Sequence, residues 1–91
     1  MATPPSLDEI IEYPLEFPIK VMGRFTEGFV ALVSEIVLRH APDWDPAQVQ
    51  TRPSAKGNYL SVTATIVARD RAQLDALYRE LTAHPSIAYV L

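Results

Sequence analysis

Tyr59-Leu60-Ser61-Val62-Thr63-Ala64-Thr65-Ile66-Val67-Ala68 alternates in character for ten residues. Leu60, Val62, Ala64, Ile66 and Ala68 fall on one side; Tyr59, Ser61, Thr63, Thr65 and Val67 fall on the other. Successive strand residues face opposite ways, so the stretch predicts a strand with one buried face and one open face. Just upstream, Ser54 to Asn58 is a connection in which Gly57 supplies the positive φ of a tight hairpin. Before it, Gln48 to Pro53 is a weaker strand, and its proline marks a sheet edge. Downstream, Asp70 and Gln73 form a capping box. Leu74, Leu77, Tyr78 and Leu81 then give the stripe of a helix running to about His84, where Pro85 stops it. Ser86 to Leu91 reads as a last short strand.

The first half repeats this plan. Leu15 to Gly23 predicts a strand with Phe17, Ile19 and Val21 on one side and Lys20 and Met22 on the other. Pro18 lacks a ladder donor and should sit near the strand's start or face an edge. Thr26 is the expected N-cap of a helix, with Phe25 and Val30 as a hydrophobic staple. Phe29, Leu32, Val33, Ile36 and Val37 form its apolar stripe. Arg39 and His40 stand in its last turn, where positive charge suits the dipole. Asp43 to Pro46 is a polar turn that carries Trp44. Ahead of all this, residues 1–5 should be a loose Pro-rich tail. Ser6-Leu7-Asp8-Glu9 opens a short helix with Leu7, Ile10 and Ile11 on one side, ended by Pro14.

The resulting order, β-α-β-β-α-β, predicts an α+β, ferredoxin-like βαββαβ sandwich: a four-stranded antiparallel sheet with two helices on one face. Residues 1–14 form a tail with a short capping helix, and 15–91 form one domain. The first and third strands should be central. The expected core is Ile19, Val21, Leu32, Val33, Ile36, Leu60, Val62, Ile66, Leu74, Leu77 and Leu81.

Composition narrows the function. The chain has 91 residues, no cysteine and a net charge of -3. Disulfides, thiolate metal sites and thiol nucleophiles are therefore excluded. No apolar run reaches the ~18 residues of a membrane span, and the N-terminal residues lack a signal peptide's basic and apolar regions, so a cytoplasmic chain is expected. Asp8, Glu9, Glu12 and Glu16 stand in residues 1–16 without a single base, leaving seven acids against all eight bases in the remainder. No overall positive field exists for non-specific nucleic-acid binding.

Longer motifs carry a family resemblance. Phe17-Pro18-Ile19-Lys20-Val21-Met22-Gly23 resembles the first-strand motif of the YbeD-like family of small bacterial proteins. Pro53-Ser54-Ala55-Lys56-Gly57-Asn58-Tyr59-Leu60-Ser61-Val62-Thr63 resembles its hairpin signature, Ser-x-x-Gly-x-Tyr-x-Ser-Val. Arg39-His40-Ala41-Pro42, Leu77-Tyr78 and the Val90-Leu91 ending also fit. The resemblance extends from about Leu7 to Leu91. It implies a fold similar to the ACT-type regulatory domains, which sense small molecules; some members carry a label of lipoate regulation. Asp43-Trp44-Asp45 sits where the family's loop varies, and nothing is carried onto it.

The hairpin and the open face hold the candidate site: Lys20, Arg52, Ser54, Lys56, Gly57, Asn58, Tyr59 and Ser61. Cations and donors surround a glycine turn whose amides offer an anion-binding concavity. The same residues equally suit a solvated hairpin, because Gly, Asn and Ser serve turn geometry. Lys56-Gly57-x-Tyr59 echoes the third strand of an RNA-recognition module, but Ser61, Thr63 and Thr65 follow where that module needs aromatics, and the pI is near 5.2, so no nucleic acid is expected. His40 and His84 read as dipole caps, and Asp43 and Asp45 fall short of a calcium loop. No nucleophile elbow or phosphate loop is visible, so no enzyme, metal or cofactor is expected. The expected function is a small regulatory or binding module that senses a small anionic ligand or a protein partner. The alternative is an interaction domain acting by sheet-face or edge-strand pairing, and a homodimer through the sheet face would cover the same surface.

Overall fold

The computed structural model describes residues 12–91. The capping box at Ser6–Glu9, the apolar Leu7, Ile10 and Ile11, and the tail at 1–5 lie outside them. Six main elements follow: β1 (Leu15–Arg24), α1 (Phe29–His40), β2 (Gln50–Pro53), β3 (Tyr59–Ala68), α2 (Arg71–Ala83) and β4 (Ile87–Val90). A short 3₁₀ turn, Pro46–Gln48, precedes β2. The strands pair antiparallel in the order β2-β3-β1-β4, so β1 and β3 are central, as the crossover rule requires. β1 and β3 match over their whole length, from Leu15 opposite Ala68 to Arg24 opposite Tyr59.

That register sorts every side chain. Ile19 and Val21 of β1 and Leu60, Val62, Ala64, Ile66 and Ala68 of β3 are buried under the helices. Val33, Ile36 and Val37 of α1 and Leu77 and Leu81 of α2 meet them at 0–1% exposure. Each Val, Leu or Ile among them contributes about 1.5–3 kcal/mol by leaving water, and the alanines less. Ten of the eleven expected core residues are buried; Leu32 is only half-buried and packs at the margin. Phe29, Val37, Ala41, Trp44, Ala64, Ala68 and Ile87 also belong to the core. Pro18 lies in β1 past the stretch that pairs with β4, which begins at the mutual Lys20–Leu91 hydrogen bonds, so its missing donor leaves no gap in that ladder.

Three local expectations fail. Thr26 is not the N-cap of α1: Gly28 is, at φ 86°, with no side-chain cap. The Phe29 N–H donates instead to the Thr26 carbonyl, closing a turn that needs a left-handed residue. With Gly28 as the cap, Phe25 and Val30 no longer hold the staple's positions, and the Phe25 N–H donates to the Asn58 carbonyl at 2.9 Å beside the hairpin, with Phe25 52% exposed. Asp70 caps α2 through the Gln73 N–H at 2.8 Å, but the Gln73 side chain does not return to Asp70. Its Oε1 accepts from the Arg69 N–H and its Nε2 donates to the His40 carbonyl at 2.8 Å, so this buried glutamine ties the start of α2 to the end of α1.

A charged cluster reinforces that junction. Arg39 reaches both Glu35 and Glu80, and His40 Nε2 lies 2.8 Å from Glu80 Oε1. The hydrogen bond from Arg39, then that from His40, holds the Glu80 carboxyl below the usual carboxylate range. A depressed carboxylate stabilises the fold above its unfolded pKa and loses that contribution as pH falls through the folded value. Glu80→Gln should therefore lower the melting temperature by a few degrees at neutral pH, since the cluster is largely exposed. The difference from the parent protein should close below about pH 4. A gap that stays constant from neutral to acid pH would remove the electrostatic account.

Candidate functional site

The uncovered face of the sheet is ordered by the same register. Gln50, Thr63 and Lys20 form one row across β2, β3 and β1; Arg52, Ser61, Met22 and Tyr89 form the next and reach β4; Tyr59 and Arg24 form the third. Lys20, Gln50, Thr51, Arg52, Ser61 and Thr63 line a polar cleft of about 330 Å³. Met22, Ser54, Tyr59, Ala88 and Tyr89 line a mainly apolar slot of about 370 Å³ beside it. Arg24, Thr26, Tyr59, Pro85, Ser86 and Ala88 line a third hollow at the hairpin end, sharing Tyr59 and Ala88 with the slot.

The structure thus divides the eight expected site residues. Lys20, Arg52 and Ser61 come together in the polar cleft, and Ser54 and Tyr59 belong to the apolar slot. Lys56, Gly57 and Asn58 stand apart at the exposed hairpin tip. Three amides of the hairpin are committed to the turn itself. The Gly57 N–H donates to the Ser54 carbonyl, the Ser54 N–H to the Tyr59 carbonyl, and the Tyr59 N–H to Ser54 Oγ at 3.1 Å. Gly57, at φ 74°, serves the turn. Sequence reasoning missed Ala88 and Tyr89 as site neighbours, because β4 contributes through pairing with β1, which no local pattern announces, and it missed Arg24, one residue past the expected end of β1. The alternation of β1 already placed Met22 on this face; Tyr89 had no comparable signal.

Ion pairing differs between the two sides of the molecule. On the helix side, Arg39 lies 3.3 Å from Glu35, Arg69 3.9 Å from Asp43 and Arg71 3.8 Å from Asp75. Lys20, Arg24, Arg52 and Lys56 pair with no carboxylate among the described residues. The remaining polar candidates are used structurally. Asp45 Oδ1 caps the 3₁₀ turn through the Ala47 N–H, and His84 Nδ1 accepts from the Ser86 N–H. Among the described residues, no three of His, Asp and Glu gather as a metal site.

Residues 8–91 match the profile of a family described as "Protein of unknown function (DUF493)". The chain belongs to the DUF493 family. Its relatives include a "UPF0250 protein" of Leptothrix cholodnii, 52% identical over 96% of both chains, and one of Bordetella pertussis, 49% identical over the same shares. This is the YbeD-like family that the strand and hairpin motifs resemble. Fold likeness extends further. The solution structure of protein HP0495 from H. pylori superposes with TM-score 0.69 at 10% identity, covering 100% of this chain and 98% of that one. The ACT domain from the GTP pyrophosphokinase of Chlorobium tepidum superposes with TM-score 0.56 at 16% identity, covering 85% and 97%. This DUF493 chain therefore has an ACT-like fold. Among its described residues, no helix is long and apolar enough to cross a membrane.

Proposed function

We propose that this chain is a non-enzymatic, cytoplasmic binding module that regulates by taking a small anionic ligand on its open sheet face. The observation that carries this reading is the set of cations on that face without carboxylate partners among the described residues, Lys20 and Arg52 above all, over a floor of Gln50, Ser61 and Thr63. Unpaired surface cations add little to stability, so their concentration beside a hollow is better matched to an anion. The hollow lies at the lower end of the ~300–1,000 Å³ usual for small-molecule sites.

Thermal stabilisation tests it. A ligand that binds only the folded state adds about 2.7 kcal/mol at 100 times its dissociation constant, a rise on the order of 10 °C for a domain this size. We expect at least one small anion from a panel of carboxylic acids and phosphates to raise the melting temperature. Lys20→Gln with Arg52→Gln should abolish that rise while leaving the unliganded melting temperature nearly unchanged. Lys56→Gln should not affect it, because Lys56 stands away from the cleft. If the double variant responds like its parent, the cleft is an ordinary solvated surface.

A second reading has its own observation. Tyr59, Val67, Tyr89 and Leu91 leave large apolar surfaces exposed, at 43%, 42%, 50% and 65%. Such a face suits a protein partner or a second copy of the domain. Sedimentation over a hundredfold concentration range distinguishes the two: a concentration-dependent dimer broken by Tyr89→Asp favours sheet pairing.

A further inference from the structure

We propose that the ligand of the open face is a free nucleotide, with its base in the slot between Tyr59 and Tyr89 and its phosphates on Lys20, Arg24 and Arg52. The inference rests on the face being the binding surface and names what it binds. Three observations carry it.

The first is the slot. Tyr59 and Tyr89 line it together with Met22, and both rings are about half exposed. A flat ring inserted there would stack on tyrosine and meet a polarisable thioether. The second is the position of the cations. Arg52 stands in the row of Met22 and Tyr89, and Arg24 stands opposite Tyr59, so the slot has a guanidinium in each adjoining hollow. Lys20 lies one row on, with its Cα roughly 12 Å from that of Arg52 by strand spacing. Long side chains over that span suit a chain of phosphates better than one compact carboxylate. The third is what the lining lacks. Among the described residues no Asp or Glu lines any of the three hollows, so the ammonium of a free amino acid would find no counter-charge from them.

Overall charge separates a nucleotide from a nucleic acid. The chain carries -3, and none of its described acids lines the hollows. Fields are screened beyond about 8–10 Å, so a small ligand feels mainly the local cations. A polynucleotide would run past them and needs a broad positive field instead. A single slot also fits one base rather than a stacked run.

The test is titration of the ¹⁵N-labelled full chain with ADP, adenosine, inorganic pyrophosphate, glutamate and a short oligonucleotide, followed by NMR. ADP should shift the amides of Met22, Tyr59, Ser61 and Tyr89. Adenosine and pyrophosphate should each bind at least about tenfold more weakly. Tyr89→Ala and Arg52→Gln should each weaken ADP about tenfold, the expected order for losing one stacked ring or one phosphate contact. Tyr89→Leu keeps apolar bulk without a flat ring and should behave like Tyr89→Ala, which separates loss of stacking from loss of fold. Pyrophosphate binding as tightly as ADP, or the oligonucleotide binding more tightly, overturns the nucleotide. So does glutamate shifting this face while ADP does not, an outcome that leaves the binding module intact. If none of the probes moves the face, the nucleotide inference falls, and the wider panel of carboxylic acids and phosphates decides the binding reading separately.

Discussion

Trp44→Ala should destabilise the protein by about 3–5 kcal/mol, most of what a domain of this size has to spare. Trp44 sits in the loop after α1, yet it is only 8% exposed and belongs to the core. Its N–H donates to the Ala41 carbonyl at 3.0 Å, which turns the chain so that the indole closes the core past the end of the helix. Removing the ring leaves a cavity that neighbouring side chains can fill only in part. Urea unfolding followed by far-UV circular dichroism is the suitable measurement, because the variant loses its tryptophan fluorescence. Trp44→Phe should retain more than half of the stability lost in the alanine variant. If Trp44→Ala unfolds at the same urea concentration as Asp43→Ala, the loop does not contribute to the core.

Gly23→Ala should be nearly as damaging, with a loss of about 3 kcal/mol and a melting temperature lower by more than about 10 °C. Gly23 is not needed for an unusual backbone angle; it is needed for space. A Cβ there would lie 2.5 Å from the Phe29 ring and 2.5 Å from the Ser86 carbonyl oxygen. The ring has some freedom to tilt. The carbonyl is backbone, next to the register shift between Met22 and Gly23 where β1 meets β4, and cannot give without moving the strand. Elsewhere a compatible Gly→Ala change gains about 0.4–1 kcal/mol from the unfolded state, so the sign of the effect decides the matter. A stabilised Gly23→Ala variant would mean that β4 does not approach β1 this closely. The smaller Phe29→Leu change, added to Gly23→Ala, should recover part of the loss by relieving the ring contact.

Both residues show where sequence reading stops. Gly23 was visible as part of a first-strand motif, and its role stayed hidden because its neighbours, Phe29 and Ser86, come from elements on either side of the sheet's history in the chain. Trp44 was read as part of a polar turn because Asp43, Asp45 and Pro46 surround it. Local polarity describes where a backbone runs, not where a single side chain points.

The candidate site divides along the same line. The alternation of β1 and β3 was enough to put Lys20 with Ser61, and the hairpin carried Arg52 onto the same face. The hairpin tip looked equally promising, since Lys56, Gly57 and Asn58 are adjacent in sequence. In space they leave the cleft, and the Gly57, Ser54 and Tyr59 amides serve the turn. The helix ends followed the same rule: Arg39 and His40 looked like dipole caps of their own helix, but both also meet Glu80 of α2.

Patterns of period 2 and 3.6 determined the order of elements and the buried faces of β1 and β3, and the crossover rule then made those two strands central. These are local choices, repeated often enough along the chain that few other folds satisfy them all. Tertiary structure alone decided which side chains meet from distant segments. It brought Tyr89 beside Met22, closed the core with Trp44, required a missing Cβ at Gly23, and paired Arg39, Arg69 and Arg71 while leaving Arg24 and Arg52 of the sheet face without a carboxylate among the described residues. Such contacts depend on packing between elements far apart in sequence, where no periodicity reaches and only the folded chain can bring charge and shape together.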